Sequence, residues 1–92
     1  MKLIIRKEAE QTISHALAWY EQQRTGLGEH FISELEHCLG RIRQHPKLYS
    51  VAYRTIRRAP LRTFPFSVYY LANDRQITVL RVLHQRQHQP SG

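Results

Sequence analysis

A chain of 92 residues with 14 Lys or Arg against 7 Asp or Glu, net charge +7, has the length of one domain with a modest core. With 41% hydrophobic and 23% charged residues its composition is that of a folded globular domain, far from the low-hydrophobicity signature of disorder. Only Leu3-Ile4-Ile5 is apolar before charge returns at Arg6, so a secretory signal and a membrane span are not expected, a cytoplasmic protein is, and a lone cysteine, Cys38, excludes an internal disulfide.

The charge is unevenly placed. Residues 1–36 hold four Lys or Arg against six Glu, whereas residues 37–92 hold ten Lys or Arg and a single acid, Asp74. One side of the molecule should therefore attract phosphates or an acidic protein.

In chain order, Lys2 to Arg6 reads as a short buried strand. Two helices follow, with apolar residues at Ala9, Ile13, Ala16, Leu17 and Tyr20, then at Phe31, Leu35, Cys38, Leu39 and Ile42. This shared spacing makes one apolar stripe per helix and leaves Glu10, Gln11, Ser14, Glu34 and Arg41 toward solvent. Cys38 falls in the second stripe as a small core residue, and Trp19 and Tyr20 are expected in the core and hairpin packing. Thr25-Gly26-Leu27-Gly28 supplies the reversal of an antiparallel helical hairpin, and His45-Pro46 stops the second helix.

The remainder reads as strand. Tyr53 to Arg58 is amphipathic, with Arg54, Ile56 and Arg58 alternating with Tyr53, Thr55 and Arg57. Phe64 to Leu71 and Ile77 to Leu83 are β-branched and aromatic and are joined at Asn73-Asp74, which predicts a central hairpin. Pro65 is tolerable at a strand start, and Pro60 marks the turn between the second and third strands. The predicted architecture is α+β, in the order β-α-α-β-β-β, with the helical hairpin on a small, mainly antiparallel twisted sheet.

That order, together with Ala18-Trp19-Tyr20-Glu21, Gly26-Leu27-Gly28 with Phe31, Pro46 followed by Tyr49, Phe64-Pro65-Phe66 with Tyr69-Tyr70, and Val82-Leu83-His84 with Arg86, resembles the RelE/ParE superfamily of toxins from type II toxin-antitoxin pairs. The resemblance runs from Ala9 to Pro90. Leu-Gly-x-x-Phe and the Phe-Pro-Phe strand start look most like the ParE branch. In the ribosome-dependent nuclease branch, the strand matching Phe64 to Tyr70 typically opens with glycine and carries a further arginine, where this chain has Phe-Pro and Ser67. The resemblance implies a toxin neutralised by a small antitoxin, with DNA gyrase as the target of a ParE-like toxin and the ribosome as that of a RelE-like one.

Arg54, Arg57, Arg58, Arg62, Arg81 and Arg86 form the expected partner-binding field, which is also compatible with direct nucleic-acid contact. A nuclease of this superfamily needs no metal, since cations stabilise the developing charge and a general acid serves the leaving oxygen; Arg62, Arg81, His84 and Arg86 are the residues that could supply this. Three readings stand at this point: a gyrase inhibitor, a ribosome-dependent mRNA endoribonuclease, and a domain that keeps only antitoxin binding. His84 and His88 have helical ligand spacing, but with no nearby carboxylate and positive surroundings no metal site is expected. No phosphate loop, nucleophile constellation or carboxylate pair points to a cofactor or to small-molecule catalysis.

Overall fold

The computed structural model describes residues 1–86. Strand β1 (Lys2–Ile5) leads into helices α1 (Lys7–Gln23) and α2 (Leu27–Gln44), followed by β2 (Val51–Tyr53), β3 (Ile56–Pro60), β4 (Phe66–Ala72) and β5 (Gln76–His84). All five strands form one sheet in the order β1-β5-β4-β3-β2, antiparallel throughout except for β1, which lies parallel to β5. The α+β class and the central hairpin agree with the sequence, and β4 and β5 occupy the middle of the sheet.

The two apolar stripes pack on one face of that sheet. Ala9 and Ala16 from α1, and Phe31, Leu35, Cys38 and Ile42 from α2, are buried against Ala59, Val68, Tyr70, Ile77, Val79 and Val82. At one end the rings of Tyr20, Phe31, Phe64 and Phe66 form a cluster, with Tyr20 and Phe64 edge to face at 4.8 Å between centroids. Such ring pairs add to what their buried area contributes. Burial pushes the Cys38 thiol pKa up, as suits an inert core residue.

The helical junction is held from the side. Gly26 has φ of +92°, a left-handed conformation that favours glycine, and α2 already begins at Leu27. Glu21 of α1 reaches across so that its carboxylate accepts from the N–H groups of Gly26 and Gly28, both at 3.0 Å. Gly28 is thus a helical residue rather than part of the turn, and its bare Cα lets α2 approach α1: a Cβ there would lie 2.8 Å from Leu17 Cδ1 and 3.0 Å from the Leu17 carbonyl oxygen.

Several expectations change. The strand predicted over Tyr53 to Arg58 is two strands, because Arg54 takes φ of +53° and reverses the chain between Tyr53 and Ile56. Nothing in its residue type announces that turn; the Arg54 Nε donates to the Tyr53 hydroxyl and its guanidinium sits over the Tyr53 ring, contacts that favour the bend. Pro60 closes β3 in register with Ser67 instead of making the turn, which falls at residues 61–65. Arg58 N–H points toward the β2 side, to the Ser50 carbonyl, and Pro60, two residues on, faces the same side beyond the end of β2, where no donor is needed. Trp19 is 57% exposed, not core, because it flanks the Ala16–Tyr20 stripe, its ring standing perpendicular to that of Tyr20 at 5.2 Å between centroids.

Candidate functional site

Alternation and register decide where each arginine of the basic field goes. Ala59 is fully buried on the helix side, so its neighbour Arg58 goes to the opposite face; Arg57, in register with the buried Tyr70, goes to the helix side. There Arg57 Nη1 donates to the carbonyl of Tyr49 at 2.6 Å, and Tyr70 donates its hydroxyl to the Pro46 carbonyl at 2.7 Å. Arg41 Nε donates to the Tyr49 hydroxyl at 3.0 Å. Arg57 therefore clamps the segment between α2 and β2, and Arg41, expected toward solvent, helps it do so.

On the opposite face Arg58 lies beside Tyr69, and Tyr69 beside Arg81, across the three strands β3, β4 and β5. Arg81 sits at a bulge in β5, where the register with β4 shifts between Tyr69 and Tyr70. Its Nη1 comes to 3.7 Å from the Glu8 carboxylate, which Arg6 Nε approaches at 4.0 Å. The Glu8 carboxyl is held below its ordinary value by its own backbone N–H, which with the charges of Arg81, Arg6 and Lys7 outweighs desolvation. Ser67 and Tyr69 share this face with Arg58, a juxtaposition the sequence did not signal, because only strand register reveals which residues stand side by side.

The other basic residues lie elsewhere. Arg54 caps the β2–β3 hairpin beside an exposed Tyr53. Arg62 lines a groove along α2 with His30, Glu34, His37 and Arg41, where Glu34, another residue expected in solvent, accepts from Thr63 N–H at 2.8 Å and from the Thr63 hydroxyl. Burial acts to raise the Glu34 pKa, but the Thr63 hydroxyl and the N–H groups of Thr63, Arg62 and Phe64 outweigh it and hold the carboxyl below its ordinary value. His84 ends β5 with its ring edge-on to Phe66, and its Nδ1 accepts from the Arg86 N–H at 3.1 Å. His84 and Arg86 line a groove with Thr12, His15, Ala16 and Trp19. Arg62, Arg81 and His84 with Arg86 thus have three different surroundings.

Among the described residues no group of three or more His, Cys, Asp or Glu could hold a metal ion, and His88 of the spaced histidine pair lies outside them. No helix among them is long and apolar enough to cross a membrane.

Residues 3–89 match the family model for the ParE toxin of the type II toxin-antitoxin system, parDE. The chain belongs to the ParE toxin family. Its fold is similar to a chain of the solved chromosomal ParDE TA system from P. aeruginosa, with a TM-score of 0.67 at 14% identity, covering 91% of this chain and 95% of that one. No curated protein is significantly similar to it. ParE membership agrees with the branch to which Phe64-Pro65-Phe66 pointed. In the structure that Pro65 stands just ahead of β4, where its missing N–H leaves the ladder intact, and its carbonyl accepts from Gln85 N–H at 2.8 Å.

Proposed function

We propose that this ParE-family protein is the toxin of a type II pair, acting in the cytoplasm by binding and inhibiting DNA gyrase and neutralised by an antitoxin encoded beside it. The observation that carries this reading is the family match across residues 3–89 on a fold that retains both the helical hairpin and the Phe-Pro-Phe strand entry. The separate surroundings of Arg62, Arg81 and His84 favour a binding protein over a nuclease, since phosphoryl chemistry needs its cations and its acid converging on one atom. A basic surface is steered toward an acidic antitoxin, and apolar anchors supply the affinity.

A supercoiling assay with purified gyrase tests the target. Inhibition at micromolar toxin, relieved by the product of the adjacent reading frame, is the expected result; full supercoiling activity at that concentration would sink the gyrase reading. Translating ribosomes given the protein should leave their message intact, and discrete cuts abolished by Arg81→Ala would replace the proposal with a nuclease.

A further inference from the structure

Between Glu36 and Asp74 the chain carries arginine and lysine but no acid, and the fold sets three of these cations around β2. Arg57, in register with Val51, donates from Nη1 to the Tyr49 carbonyl and, at 3.5 Å, to the carbonyl of the exposed Lys47, so two positive charges flank the entry to the strand. Past the other end of β2 stands the exposed Arg54, its guanidinium 5.3 Å from the centre of the Tyr53 ring and its Nε donating to the Tyr53 hydroxyl at 3.0 Å. None of the three has an ion pair among the described residues. One acid comes near: Asp74 shares a groove with His45, Lys47 and Leu48. β2 is also an edge of the sheet, and Tyr53 in it is 61% exposed, so that ring does little for the core. Arg54 holds φ of +53°, a left-handed conformation that glycine or asparagine adopts at lower cost. What arginine adds at this tip is a cation fixed over one side of an exposed ring.

We propose that the β2–β3 hairpin binds single-stranded DNA, with a base stacked on the Tyr53 ring, phosphates drawn to Arg54 and Lys47, and Arg57 adding to the local positive field. An exposed ring set among uncancelled cations answers both halves of an unpaired strand: bases offer flat faces to the ring, and phosphates release counterions at the cations. An acidic peptide would use the cations alone, since a carboxylate over the ring would meet its negative face. A duplex brings phosphates but keeps its bases stacked on one another. The choice of DNA over RNA rests on the gyrase reading above, because that target works on DNA; the stacking and phosphate contacts do not depend on it.

Fluorescence anisotropy of a labelled thymidine dodecamer, titrated with the full chain at salt concentrations from about 50 to about 200 mM, tests the site. Saturable binding should weaken with salt, log K falling against log salt with a slope of about 1.4, the value for two phosphates of a single strand. Arg54→Asn, which keeps the left-handed turn and removes one cation, should lower that slope by about 0.7. Tyr53→Ala should weaken binding about tenfold and leave the slope unchanged. Tyr53→Trp should bind at least as tightly as the wild type, with its indole fluorescence quenched by the strand, a gain that misfolding cannot produce. Absence of saturable binding, a Tyr53→Ala variant that binds as tightly as the wild type, or a slope that Arg54→Asn leaves unchanged overturns the proposal. So does a blunt duplex, a glutamate decapeptide or a uridine dodecamer that binds more tightly than the thymidine strand. Tyr53-dependent binding of the dodecamer by a protein that leaves gyrase active removes the gyrase reading and leaves the hairpin site standing; gyrase inhibition without dodecamer binding does the reverse.

Discussion

Glu21 serves as the cap that α2 lacks. The residue before that helix is Gly26, which has no side chain to offer, and the first turn leaves N–H groups without partners. A carboxylate supplied from α1 satisfies two of them and places negative charge at the positive end of the α2 dipole. Glu21→Ala should cost about 1–2 kcal/mol, on the scale of losing a good N-cap, read as a lower urea midpoint with unchanged slope. Arg58 is the opposite case, a residue whose Nε–H is shielded from water and finds no acceptor.

Between elements, the contact from α2 to the loop after β3 makes stability depend on acid. Glu34 has a folded pKa below its ordinary 4.5, so its contribution is fully present above that value and is lost as pH falls through the lower, folded value. Melting temperature should decline as the solution is acidified below about pH 4.5, and Thr63→Val should flatten that part of the profile by removing the hydroxyl donor. The helix stripes differ in weight along their width. Phe31→Ala should cost about 3–5 kcal/mol as a fully buried ring, whereas Trp19→Ala should stay within about 0.5 kcal/mol, both measured by denaturant unfolding. These contrasts also mark what the sequence could reveal. Period 3.6 identified both helices and their central residues, because burial follows helical angle. It placed Leu17 inward, yet Leu17 is 36% exposed, because a stripe's margin is set by how the helix sits on the sheet; Trp19 was expected inside on its aromatic character alone. Alternation likewise identified the last two strands, but it ran through Arg54, a left-handed turn without glycine or asparagine. The row across β3, β4 and β5 was beyond reach for a further reason: Arg58, Tyr69 and Arg81 become neighbours only through register, including a bulge that alternation cannot foresee.

For the molecule as a whole, the asymmetry of charge survives folding as a chain whose acids lie mainly on the helices and whose arginines lie mainly on and around the sheet. If the antitoxin is acidic, as proposed, its electrostatically steered encounter should slow by roughly tenfold or more as ionic strength rises from low to several hundred millimolar, while dissociation changes far less; stopped-flow fluorescence of Trp19 would separate the two rates. The pairing of β1 with β5 bears on how such a protein is made. Lys2 to Ile5 lie against residues 76–79, so the first strand synthesised waits for the last before it can join the sheet. Until then β4 is an unfinished edge and the faces of Ile77 and Val79 that complete the core are missing. A nascent chain therefore has no finished sheet, and a message truncated before β5 yields a fragment open to proteolysis.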